Sequence, residues 1–163
     1  QATVNVRVTV PAAAQAGAFD AAQLRAQSVA SPTVQETSAF TTTVRAHYAM
    51  RMEPATDSRS GAPGATATYT LTVYNMGNVP DTYTITAPST GWPVALSAQT
   101  LGPVQPGQSA SFTVQVTIPA AARPGDNNIL TVTAASQGSP ASDQSALTTL
   151  AGLVKLFLPV IFR

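Results

Sequence analysis

A chain of 163 residues holds one complete domain of ~100 to 150 residues and part of a second. Charged residues make up 9% of it, where ordinary soluble proteins carry ~25%, so Thr, Ser and Ala must coat the exterior. Lys plus Arg number 8 and Asp plus Glu 7, with no run of like charge, which excludes the phosphate-holding footprint of a nucleic-acid binder. The absence of cysteine excludes disulfides, thiolate metal sites and thiol nucleophiles.

Gln1 passes at once into an alternating run, as at a mature end left after processing, so a secreted, extracellular protein is expected. In that run Val4, Val6, Val8 and Val10 face one way and Thr3, Asn5, Arg7 and Thr9 the other, predicting a half-buried strand that Pro11 stops. Helical spacing is conceivable only over Ala18 to Ala26, where the apolar side chains are too small to build a face. Phe40, Thr42, Val44, Ala46, Tyr48, Met50 and Met52 alternate with polar residues and predict one long strand.

The Ser-, Gly- and Pro-rich stretch from Asp57 to Gly64 reads as a loop, and strands resume with Ala67, Tyr69, Leu71 and Val73. Asn75 to Pro80 predicts a turn, followed by strands around Tyr83 and Ile85 and around Trp92, Val94 and Leu96. A turn-rich connection from Gly102 to Gly107 leads into Ala110, Phe112, Val114, Val116 and Ile118. Leu130, Val132 and Ala134, then Ser145 to Leu150, close a series of roughly seven strands at the ~8 to 12 residue spacing of a β-sandwich. The fold expected is all-β, an immunoglobulin-like antiparallel β-sandwich over residues 45–151.

The chain also repeats itself. Val8-Thr9-Val10-Pro11-Ala12-Ala13-Ala14 with Gly17 matches Val116-Thr117-Ile118-Pro119-Ala120-Ala121-Ala122 with Gly125, and Ser31-Pro32 matches Ser139-Pro140. After one residue of slippage, Ser38-Ala39-Phe40-Thr41-Thr42 matches Ser145-Ala146-Leu147-Thr148-Thr149. Residues 1–44 therefore form a partial module, the last three strands of a sandwich without those that should precede them.

Gly64-Ala65-Thr66 into Tyr69-Thr70-Leu71-Thr72-Val73, Asn75-Met76-Gly77-Asn78-Val79 with Asp81-Thr82-Tyr83, and Pro106-Gly107 before Phe112-Thr113-Val114 carry a family resemblance. The chain resembles the bacterial immunoglobulin-like repeat found near the ends of secreted subtilisin-like proteases, glycosidases and surface proteins. That resemblance implies an extracellular seven-stranded sandwich acting as a spacer, stalk or accessory module, and it brings no catalytic residues.

Candidates for chemistry are sparse, and neither an enzyme nor a cofactor is expected. His47, beside Arg45 and Arg51, has no nucleophile or carboxylate at a suggestive offset and reads as a surface histidine. Asp20, Glu36, Glu53, Asp57, Asp81, Asp126 and Asp143 stand singly at predicted turns and strand ends, where Asp caps backbone N–H groups. A glycosidase pair drawn from Glu53, Asp57 and Asp81 lacks sugar-stacking aromatics. Asp57 with Ser58 and Ser60, or Asp126 with Asn127 and Asn128, offers hard oxygens to calcium but repeats no known loop spacing, so capped turns are preferred. Trp92, between Gly91 and Pro93, reads as a core residue before a sugar platform.

The last segment, 152–163, is an apolar tail. Lys155 and Pro159 interrupt it and it falls short of the ~20 residues of a spanning helix. Extended, it sets Val154, Leu156, Leu158, Val160 and Phe162 on one side, with Phe157 and Ile161 among those opposite. So much apolar area calls for cover: an edge strand on its own domain, a sorting tail, or donation to a neighbour's sheet. Donation supplies the leading expectation, a structural subunit of an extracellular filament or surface fibre, a homopolymer built by strand exchange. The tail residues Val154, Leu156, Phe157, Leu158, Val160, Ile161 and Phe162 would then fill an acceptor face of Val4, Val6, Val8, Val10 and Phe40. The alternative is a C-terminal accessory or sorting module of a secreted hydrolase, with cell-surface attachment open to either.

Overall fold

The computed structural model describes residues 3–152, so the tail residues Val154 to Phe162 lie outside the described residues. The segment expected to be a partial module holds β1 (Phe19–Gln27) and β2 (Gln35–Thr43), an antiparallel hairpin. Nine more strands lie in the segment expected to be the complete module: β3 (Met50–Glu53), β4 (Thr56–Gly61), β5 (Thr66–Asn75), β6 (Asp81–Thr86), β7 (Val94–Leu96), β8 (Thr100–Val104), β9 (Ser109–Thr117), β10 (Asn127–Ser136) and β11 (Ser142–Ala151). One sheet runs β4-β11-β10-β6-β8 and the other β3-β5-β9-β7. The chain is all-β, and the two sheets pack as an immunoglobulin-like sandwich.

Alternation decides which face each strand buries. In β5, Ala67, Tyr69, Leu71 and Val73 point inward, and β9 meets them in register with Phe112, Val114 and Val116. The opposing sheet contributes Tyr83, Ile85, Leu130, Val132, Ala134 and Leu147 to the same core. Each such side chain removed from water contributes roughly 1.5–3 kcal/mol, which is what holds the two layers together. Polar threads cross between layers as well: Tyr69 Oη donates to the Thr148 carbonyl at 2.7 Å and lies 2.7 Å from Thr149 Oγ1. The Tyr83 hydroxyl is buried with no hydrogen-bond partner among the described residues; burial first and the Asp81 charge second push its pKa up to about 12.

Several expectations change. Residues 57–64 do not form one loop: β4 pairs in parallel with β11, from Thr56 opposite Ala146 to Gly61 opposite Ala151. As a short edge strand β4 needs no apolar alternation, because main-chain bonds and a neighbour supply its order. The expected turn from Gly102 overlaps β8, which pairs with β6 across a bulge, and the complete module has nine strands rather than seven. Ala18 to Ala26, where helical spacing was conceivable, is mostly β1.

The long strand from Phe40 to Met52 is broken. β2 ends at Thr43 and β3 starts at Met50, because the chain leaves the hairpin there and joins a different sheet. Nor do Val4, Val6, Val8 and Val10 lie in a half-buried strand. Residues 3–10 pair with no strand among the described residues, and these four valines are between 39% and 66% exposed. Alternation encodes the face they would bury, but a strand needs a neighbour to form.

Candidate functional site

The feature that sets this chain apart from a plain sandwich is the surface of residues 3–44. Its backbone reproduces the end of the complete module. Phe19 pairs with Thr43 as Asn127 pairs with Leu150, and Gln27 with Gln35 as Ala135 with Ser142. Gly17 donates to the Val44 carbonyl and Gly125 to that of Ala151, both at 2.9 Å and both with positive φ, where only glycine sits without strain. Ala14 donates to Pro11 and Ala122 to Pro119, both at 3.0 Å.

What differs is cover. Phe40 occupies the position of Leu147; Leu147 is 0% exposed and Phe40 39%. Val4, Val6, Val8 and Val10 stand where Phe112, Val114, Val116 and Ile118 are buried. All five acceptor residues expected from sequence are exposed, and two of them, Val8 and Val10, join Phe19, Thr42 and Val44 in lining a cavity of about 200 Å³.

A junction ties this surface to the sandwich. His47 N–H donates to Asn78 Oδ1 at 2.7 Å, Asn78 Nδ2 donates to the Arg45 carbonyl at 3.0 Å, and Ala16 N–H donates to the Asn78 carbonyl at 3.1 Å. A Cβ on Gly77 would lie 2.4 Å from the His47 carbonyl oxygen, so the turn can approach the connecting segment only as glycine. The Tyr48 ring lies directly against Gly138 between β10 and β11. Sequence reasoning gave Asn78 only a turn; its side-chain contacts join segments 31 and 33 positions apart, which no local pattern encodes.

The candidates for chemistry are dispersed. His47 is exposed. Glu53 pairs with Arg51 and Asp57 with Arg59, each at 3.3 Å, while Asp57 Oδ1 accepts Ser58 N–H. Asp126 Oδ2 accepts Arg123 N–H at 2.7 Å, the capped turn expected for it, and Asn128 instead faces Thr90. Asp81 accepts Thr82 N–H and Asp143 accepts the N–H groups of Met52 and Gln144. Asp20 and Glu36 are exposed on the hairpin. Among the described residues, no three of the His, Asp and Glu side chains gather as a metal-holding group. Trp92 is half-buried and packs on the core edge. Among the described residues no helix is long and apolar enough to cross a membrane.

Comparison with known proteins places this geometry. Residues 62–139, from the turn before β5 to the β10–β11 connection, match the family model of the NPCBM-associated, NEW3 domain of alpha-galactosidase. That likeness fits the glycosidase branch of the resemblance drawn from the sequence. None of the curated proteins matches the chain. Among solved structures, a PapD-like domain of human CEP192 has a TM-score of 0.50 at 11% identity, covering 65% of this chain and 87% of that one. A putative carbohydrate binding protein from Bacteroides ovatus also has a TM-score of 0.50, at 12% identity, covering 64% of this chain and 37% of that one. At such identities the likeness is one of fold.

Proposed function

We propose that this chain is a non-catalytic accessory segment of a longer extracellular glycosidase or related hydrolase, a spacer built of immunoglobulin-like modules in series. The observation that carries the reading is the match of residues 62–139 to a glycosidase-associated domain, falling on the strands that form the closed core. Two features of the chain support a mechanical role. The Asn78 clamp and the Tyr48–Gly138 contact hold the connecting segment to the sandwich, so force or orientation passes from one module to the next. Glu53, Asp57, Asp81, Asp126 and Asp143 are spent on backbone caps and exposed ion pairs, and Asp20 and Glu36 stand apart on the hairpin, an arrangement that supports a non-catalytic role. The filament expectation rests on the apolar tail and the exposed valines of residues 4–10, and gains no support from the comparisons.

The test is electron microscopy and light scattering of the purified chain, with assays on aryl-galactosides and soluble polysaccharides. The reading expects discrete particles without regular fibres, and no turnover. Fibres of constant width, or hydrolysis abolished by a single carboxylate substitution, would overturn it.

A further inference from the structure

The bare surface of residues 3–44 is specific about what it would accept. In the complete module the strands behind the equivalent surface are β3–β8, and four polar side chains of β10 and β11 reach across to that half. Asp143 Oδ2 accepts the Met52 N–H at 2.7 Å, and Ser145 Oγ donates to the Pro54 carbonyl at 2.7 Å. Thr149 Oγ1 meets the Tyr69 hydroxyl at 2.7 Å, and Asn128 Oδ1 accepts the Thr90 hydroxyl at 3.0 Å. The hairpin register sets Glu36 at the position of Asp143, Ser38 at that of Ser145, Thr42 at that of Thr149 and Asp20 at that of Asn128. The first keeps a carboxylate, the next two keep the residue itself, and the last keeps an acceptor oxygen. At the equivalent positions of the complete module each such group answers a donor or acceptor on β3, the Pro54 turn, β5 or Thr90.

The apolar positions agree. Val4, Val6, Val8, Val10, Leu24 and Phe40 stand where the complete module buries Phe112, Val114, Val116, Ile118, Val132 and Leu147. The cavity of about 200 Å³ is lined mainly by apolar residues, with Thr9, Asp20 and Thr42 among them. An engineered cavity of ~150 Å³ takes a benzene ring, so this one has room for the ring of a tyrosine equivalent to Tyr69. We infer that residues 3–44 are the closing part of a second sandwich, and that the surface is covered by strands equivalent to β3–β8 lying ahead of it on the same polypeptide. Covalent continuity follows from the complete module, where β8 reaches β9 through a tight turn at residues 105–108, held by Gln108 N–H on the Gln105 carbonyl. A connection that short keeps the partner at high effective concentration. This inference does not rest on the accessory reading: a filament subunit with the same repeat would carry the same surface.

The experiment duplicates residues 45–108 ahead of Gln1, which the repeat aligns with Ser109, and compares amide exchange in the natural and extended chains. The expected result is slower exchange of the Val4–Val10 and Phe40 amides by more than about 100-fold on extension, with loss of apolar-dye binding and a second folded unit. A reference chain carrying residues 45–152 twice in tandem guards against failure of the duplicated part to fold. If the reference shows two folded units and the extended chain only one, the inference is overturned. It is equally overturned if the natural chain is already a multimer with those amides protected, and deleting residues 153–163 exposes them, because the tail of a second copy would then be the cover. In the extended chain, Thr42→Val should lower the stability of the added unit and leave the residue 45–152 unit unchanged.

Discussion

Leu147 and Phe40 occupy the same place in two copies of one pattern, and their truncation should have very unequal consequences. Leu147 is fully buried between the sheets, and Leu→Ala at such sites costs about 2–5 kcal/mol from lost transfer energy and the cavity left behind. Taking ~3 kcal/mol, and ~4 °C per kcal/mol for a domain of this size, Leu147→Ala should lower Tm by about 12 °C. Phe40 is 39% exposed on an uncovered surface, so Phe40→Ala should change the main unfolding transition by no more than ~0.5 kcal/mol. Scanning calorimetry gives Tm directly, and urea titration at neutral pH checks that the m-value, hence the surface exposed on unfolding, is unchanged. A Phe40→Ala loss equal to that of Leu147→Ala would show that the surface is already covered and would refute the reasoning.

Tyr83→Phe removes a buried hydroxyl that has no partner among the described residues, so stability at neutral pH should hold or rise by about 1 kcal/mol. The Tyr83 pKa is raised from 10.0 to about 12 in the folded chain, so its contribution is intact below pH 10. As pH rises the unfolded chain ionises first, and stability falls by up to ~1.4 kcal/mol per pH unit through about pH 12. Urea midpoints measured across that range should show the slope in the natural chain and lose it in Tyr83→Phe. Asn75 is buried, donates to the Val79 and Val104 carbonyls and accepts Gly77 N–H. Asn75→Ala strands all three groups and should cost about 3 kcal/mol, read as a lower urea midpoint. Asn78→Ala should instead leave Tm within ~2 °C while loosening the junction, seen as a broader size distribution in small-angle scattering.

Much of the sandwich was legible because its central strands bury one face each. The alternation at Ala67 to Val73 and at Phe112 to Val116 maps directly onto β5 and β9. β4 was not legible, since Thr56 to Gly61 is held by main-chain pairing to β11 rather than by an apolar face. Val4 to Val10 misled in the opposite direction: the pattern for burial is present, but residues 3–10 pair with no strand among the described residues. Repetition proved the more informative signal, as the match of Ser38–Thr42 to Ser145–Thr149 carries over into the hairpin register. The junction was invisible in sequence because Asn78 acts through contacts distant along the chain.

Amide hydrogen exchange on the natural chain compares the two copies most directly. The account predicts that the amides of Phe112, Val114 and Val116 exchange only on global unfolding, while those of Val4, Val6 and Val8, at the same positions of the pattern, exchange nearly as fast as in an unfolded chain. Equal protection of the two sets in a monomeric sample would contradict it.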